Sequence, residues 1–118
     1  MRNLLLTILS LLLLAACTNT ALRTKHSALT KADSLMHTHP DSALALLQSI
    51  SADSLTDDAN RAYHALLLSQ ALDKNYIDKT DDSLINIAVT YYADKPVTPQ
   101  QMLAHYYHAR IKQNAKAY

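Results

Sequence analysis

Apolar residues along most of this chain recur at the spacing of an α-helix. Leu84, Ile85, Ala88, Tyr91 and Tyr92, for example, stand at positions i, i+1, i+4, i+7 and i+8, which places them on one helical face. No segment carries a sustained alternation of apolar and polar residues, which a half-buried strand would require. The pattern therefore predicts an all-α fold.

Prolines and paired aspartates mark the predicted helix boundaries. The first helix should end at His39, because a residue that precedes a proline avoids the α region. Two aspartate pairs stand where later helices begin, and there a carboxylate accepts hydrogen bonds from free backbone amides. Capping explains these pairs without catalysis. The predicted helices cover about residues 26–39, 40–50, 57–74, 81–92 and 99–114.

The third predicted helix is apolar nearly all round its axis, and such a helix lies between neighbours on two sides. The sequence also contains an internal repeat with a spacing of 41 residues. Asp41-Ser42 and Asp82-Ser83 both open a helix, and His64 aligns with His105 at the same offset. Helix pairs that recur at about 40 residues indicate an α-solenoid, in which each pair buries its apolar stripe on the next.

The N-terminus combines a positive charge with a short apolar run. Arg2 precedes an apolar stretch from Leu4 to Leu14, shorter than the ~20 residues that span a bilayer and typical of a signal peptide. Leu14-Ala15-Ala16-Cys17 resembles the lipobox of bacterial lipoproteins. The resemblance implies that Cys17 is acylated and that the peptide is cut before it. An ordinary secretory signal or a buried helix is the alternative.

The predicted organisation is a signal peptide at 1–16, a lipidated cysteine with a polar tether at 17–25, and helical repeats at 26–118. Thr18 follows the cysteine, where lipoproteins retained in the inner membrane carry Asp. We therefore expect a lipid-anchored protein of the cell envelope, in the outer membrane and facing the periplasm.

Composition excludes several classes of function. The chain contains no Gly, so it can form neither a Gly-rich phosphate loop nor the usual nucleophile elbow. Its 11 Lys and Arg residues balance 10 acidic residues and are scattered, whereas nucleic-acid-binding domains show a basic face. We expect no direct contact with nucleic acid.

The fifth predicted helix resembles the first helix of a tetratricopeptide repeat. Residues 106–118 place Ala109 where that family has a small residue and Tyr118 where it has a tyrosine, although Lys112 and Lys116 depart from the pattern. Residues 32–50 resemble the turn and second helix of such a repeat. The whole chain is similar to tetratricopeptide-repeat lipoproteins of the Bacteroidetes. A generic helical bundle is the alternative.

The resemblance implies a protein- or peptide-binding surface on the first helix of each pair. Carried over to the fifth helix, it predicts that Tyr106, Arg110 and Gln113 face a partner, which the sequence does not identify. The alternative is that Tyr106 belongs to the core and Arg110 is merely solvated. Each tyrosine doublet, Tyr91-Tyr92 and Tyr106-Tyr107, is expected to bury one ring and expose the other.

No catalytic, metal or cofactor site is expected. His37 and His39 lie two residues apart, and His105 and His108 share a helix face. A zinc site, however, needs three or four ligands at matched spacing. The chain has no Glu and a single Cys, Cys17, so we predict no zinc site. Because capping accounts for the aspartate pairs, we also predict a non-enzymatic protein.

The last helix is expected to be incompletely covered. If it opens a repeat, the second helix that would pack on it is missing, and solenoids need a polar terminal cap. The chain would then be a truncated fragment or would dimerise through this helix. Related chains that continue into a membrane helix and a signalling region offer another interpretation, the sensor portion of a regulator. The helix would leave part of a stripe uncovered, comprising Met102, Leu103, Tyr106, Tyr107 and Ile111.

Overall fold

A computed structural model of the protein describes residues 27–117. Within this range it contains five α-helices, a short 3-10 turn at Ala52–Ser54 and no strand, which confirms the all-α prediction. The helices are α1 (residues 27–35), α2 (Pro40–Ser49), α3 (Asp58–Lys74), α4 (Ser83–Tyr92) and α5 (Pro99–Ala117).

The first helix ends earlier than predicted. It ends at residue 35, and a hydrogen-bonded turn over residues 36–38 leads to Pro40. The helix therefore ends four residues before the predicted boundary at His39. At the other end of the molecule, α5 continues to Ala117, beyond the predicted end at Asn114.

The two aspartate pairs behave differently at their helix starts. Asp57 is the N-cap of α3, and its Oδ1 accepts a hydrogen bond of 2.7 Å from the backbone N–H of Asn60, as predicted. Asp82, the N-cap of α4, makes no capping bond with its side chain. Asp81 instead accepts bonds from the hydroxyl of Ser83 and, at 2.8 Å, from its backbone N–H, and the two bonds lower the pKa of Asp81. Each pair therefore accepts a hydrogen bond from a free backbone amide at its helix start, but in the second pair the acceptor is Asp81 and not the N-cap residue Asp82.

Helix α3 contributes to two separate apolar clusters. It packs against α2, α4 and α5, and α4 also packs against α5. One cluster joins α3 to α1 and α2, and it consists of Leu29, Ala32, Met36, Ala43, Leu47, Leu67 and Ala71. The other joins α3 to α4 and α5, and it consists of Ala62, Ala65, Leu66, Ile85, Ala88, Tyr92, Ala104, Tyr107 and Ile111. The prediction that α3 lies between neighbours is confirmed.

The burial of α3 extends to polar side chains, as expected for a helix enclosed on two sides. Asn60, Ser69 and Gln70 are all buried. The amide of Asn60 donates to Asp57 Oδ2 at 2.7 Å, and the hydroxyl of Ser69 donates to the carbonyl of Ala65 at 2.8 Å. These local bonds offset the cost of removing the two side chains from water.

The C-terminus of α3 ends in a left-handed residue that is not glycine. Tyr76 has a φ of 60°. The backbone N–H of Ile77 donates to the carbonyl of Leu72 at 3.0 Å, and that of Tyr76 to the carbonyl of Asp73 at 3.0 Å. These two bonds form a Schellman motif, whose left-handed position usually holds glycine. Because the chain has no glycine, Tyr76 bears the strain of this conformation.

Replacing Tyr76 by Gly is expected to stabilise the fold by about 1 kcal/mol, since glycine adopts the left-handed conformation without steric cost. The tyrosine side chain is 94% exposed, so little packing is lost. Urea denaturation of the full chain measures the change. The control is Tyr76→Ala, which also removes the ring but keeps the Cβ. A gain of equal size in Tyr76→Ala would show that backbone strain is not the cause.

Candidate functional site

The three residues predicted to face a partner lie along one side of α5. Tyr106 is 54% exposed, so the alternative that places it in the core is wrong. Gln113 is also exposed, and its Oε1 lies 3.5 Å from Nη1 of Arg110. The structure thus brings the polar ends of Arg110 and Gln113 together and leaves the ring of Tyr106 open to solvent. Whether this surface binds a partner stays a prediction.

Arg110 is held by a carboxylate that sequence reasoning missed. Its Nε and Nη2 atoms both approach Oδ1 of Asp73, at 3.3 and 3.0 Å. The bond to Asp73 raises the pKa of Arg110 above its usual value. Asp73 stands near the end of α3, so this ion pair ties α5 to α3. The interpretation of Arg110 as merely solvated is therefore wrong, because Asp73 holds its guanidinium.

Each tyrosine doublet buries one ring and exposes more of the other, as predicted. Tyr107 is 6% exposed and packs edge-to-face with Tyr106, with ring centroids 4.9 Å apart. Tyr92 is likewise buried and meets Tyr91 edge-to-face at 5.1 Å. Burial raises the pKa of Tyr107 to about 12, and the nearby charge of Asp73 adds to the rise. The buried rings thereby pack against Tyr106, which is exposed, and Tyr91, which is half-buried.

A second candidate surface is a cleft of about 500 Å³ that no sequence pattern predicted. The Tyr63 hydroxyl donates to Asp33 Oδ2 at 2.9 Å. Burial is the larger cause, and this hydrogen bond the next, of a pKa of Tyr63 that lies well above its usual value. Lys95 Nζ lies 4.7 Å from the centroid of the Tyr91 ring. The cleft is lined by Thr30, Ala59, Asn60, Tyr63, Tyr91, Tyr92, Lys95, Pro96, Thr98 and Gln100. Only the doublet Tyr91-Tyr92 could have pointed to it.

The histidines considered as metal ligands have separate surroundings. His108 Nε2 is 3.2 Å from Asp82 Oδ2, which ties α5 to the start of α4. His105 is exposed. His39 Nδ1 is 3.0 Å from the hydroxyl of its neighbour Thr38. Among residues 27–117, no three His, Cys, Asp or Glu side chains are grouped closely enough to hold a metal ion.

Cys17, predicted to be lipidated, lies outside the described residues, as do the predicted signal peptide and the predicted tether. Within the described part, no helix combines the length and the apolar character that crossing a bilayer requires. No family model matches the chain, and the searches of curated proteins and of solved structures found no match either. The tetratricopeptide-repeat resemblance therefore stays a hypothesis based on residue pattern.

Proposed function

We propose that this chain is a lipid-anchored protein of the cell envelope whose helices form tetratricopeptide-like hairpins and bind a segment of another protein. Sequential packing supports the hairpin arrangement. Helix α2 packs against α3, α3 against α4, and α4 against α5. The sharing of α3 between two apolar clusters is what stacked helical pairs require.

The 41-residue offset also supports this interpretation. Asp41 lies at the start of α2, which is followed by α3, and Asp82 lies at the start of α4, which is followed by α5. The aligned histidines differ in their surroundings. His64 Nε2 lies 2.9 Å from the carbonyl oxygen of Leu47 on α2, whereas His105 is exposed. The two pairs therefore share a framework and differ in the contacts at this position.

The proposed binding surface rests on the exposure of Tyr106. Its ring is held by Tyr107, and it lies on the same side of α5 as the oriented guanidinium of Arg110. Tyr and Arg are enriched among the residues that dominate binding energy at protein interfaces. A ring held in one orientation also loses less side-chain entropy when a partner covers it. A protein segment that presents an apolar side chain beside a hydrogen-bonding group fits this surface.

The test compares capture of membrane proteins by the intact lipidated chain and by variants. We expect Tyr106→Ala combined with Gln113→Ala to lower the yield of crosslinked partner roughly tenfold, the effect of about 1.4 kcal/mol of lost binding energy. Tyr76→Ala is the matched control, since it removes an exposed tyrosine from another part of the molecule. Equal capture by the double variant and the control would refute binding at this surface.

A further inference from the structure

The outward face of α5 carries a regular series of exposed positions. Met102, Tyr106, Ala109 and Gln113 are separated by four, three and four residues, and all of them are exposed. We call these four residues the α5 seam. Spacings of four and three are those of the a and d positions at which one helix packs its side chains against another. The opposite face of α5 is already used, because Ala104, Tyr107 and Ile111 are buried there.

The apolar part of the seam lies in the first half of the helix. Met102 is 65% exposed, and Leu103, which lies beside the seam, is 37% exposed. With Tyr106 they form an apolar patch that covers little more than one helical turn. Ala109 follows, and its small side chain would allow a second backbone to approach closely. Of these residue types, Met and Tyr are enriched at protein contact surfaces.

The charge of α5 is of one sign. The helix carries Arg110, Lys112 and Lys116, and no Asp or Glu occurs between Pro99 and Ala117. Arg110 is neutralised by Asp73 within the fold. Lys112 and Lys116 are exposed, and Lys112 stands one position before Gln113. The flank of the seam is therefore basic.

We infer that the α5 seam docks an acidic amphipathic helix of another protein. This inference rests on the proposed binding function and specifies its partner class. The apolar stripe of the partner would cover Met102 and Tyr106, and its carboxylates would face Lys112 and Lys116. A second copy of α5 fits less well, because α5 carries no carboxylate that could face Lys112 and Lys116. An anionic membrane fits less well because the second half of the seam is polar at Gln113.

The chain contains no tryptophan, so Tyr106→Trp introduces a single tryptophan at the centre of the seam, whose emission is excited selectively over that of the tyrosines. The full lipidated chain is placed in phosphatidylcholine nanodiscs and titrated with two synthetic helices free of Trp and Tyr. Both helices have about three heptads with Leu at a and d. One carries Glu at the e and g positions, and the other carries Lys. We expect a saturable blue shift of the emission with the Glu helix and at least roughly tenfold weaker binding of the Lys helix.

Charge reversal makes the result specific to this face. In the Tyr106→Trp background, Lys112→Glu with Lys116→Glu is expected to invert the preference, so that the Lys helix binds more tightly. Lys31→Glu on α1 is the matched control and should leave the preference unchanged. All of these positions are exposed, and circular dichroism checks that each variant remains folded.

Three results would overturn the inference. The first is that neither helix binds, and the second is that both bind equally tightly. The third is that charge reversal at Lys112 and Lys116 leaves the preference for the Glu helix unchanged. Quenching of the tryptophan fluorescence by brominated phosphatidylglycerol, without any peptide, would assign the face to the membrane. The capture experiment on native membranes separates these failures from failure of the proposed function. If capture of a membrane protein still depends on Tyr106 and Gln113, binding at this surface stands and only the acidic helix is refuted as the partner class.

Discussion

Replacing Leu47 by Ala is expected to lower the free energy of unfolding by about 2–5 kcal/mol. Leu47 is completely buried, in the cluster that joins α1, α2 and α3. The truncation removes apolar groups whose burial away from water stabilises the fold, and it would also leave a cavity among three helices. The free-energy costs of these two changes add. Small domains are stable by only about 5–15 kcal/mol. Urea denaturation followed by circular dichroism measures the loss, with the slope against urea as the check on two-state behaviour.

The neighbouring leucine supplies the control. Leu46 is half-buried at the edge of the same cluster, so Leu46→Ala removes less buried surface and leaves less of a cavity. We expect its cost to be clearly smaller than that of Leu47→Ala. A loss below about 1 kcal/mol at Leu47 would mean that α2 is peripheral to the stability of the fold. Equal losses at the two sites would show that burial does not distinguish them.

Helix positions could be predicted because their signals are local. Pro40 and Pro99 stand at the first positions of α2 and α5, where a fixed φ is favourable and a missing N–H costs nothing. The Asp57 cap acts on a residue three positions away. The apolar stripes follow the helical period over ten residues or more. None of these inferences requires knowledge of how the helices pack.

Contacts between helices were not predictable in the same way. Asp73 and Arg110 are 37 residues apart, and Asp33 and Tyr63 are 30 residues apart. Each pair depends on the relative rotation of two helices, which a single sequence does not encode in its periodicity. Asp82 shows the same limit, since its carboxylate lies 3.2 Å from His108 on α5 and makes no capping bond at its own helix. Local chemistry predicted the cap, but tertiary packing placed the side chain elsewhere.

The candidate binding surface lies between these two cases. A tyrosine doublet predicts that one ring packs and the other is exposed, because successive residues on a helix point about 100° apart. It does not predict which ring packs. The buried positions Ala104 and Ile111 settle this for α5, since Tyr107 shares their face and Tyr106 does not. The oriented guanidinium of Arg110 and the cleft beside Tyr63 needed the packed structure.

Replacing Cys17 by Ala is expected to abolish fatty-acid labelling of the protein in cells. Cys17 is the only cysteine, so no other thiol can carry the modification. Each buried methylene contributes about 0.8 kcal/mol to membrane attachment, and two acyl chains suffice for stable anchoring. The wild-type chain should therefore sediment with the outer membrane. The Cys17→Ala chain, in which the apolar residues 4–14 are expected to stay uncut, should not reach that membrane. Labelling with an alkyne fatty acid and fractionation of the two membranes measure both effects.

The matched control is Ser27→Ala, at the start of the described helices and outside the lipobox. It should label and fractionate like the wild type. Equal labelling of the Cys17→Ala and wild-type chains would refute lipidation at this residue. Labelled protein found in the inner membrane would leave lipidation intact and refute only the outer-membrane assignment, which rests on Thr18 after the cysteine. If Cys17→Ala loses the label but still sediments with membranes, a contact other than the acyl chains holds the protein there.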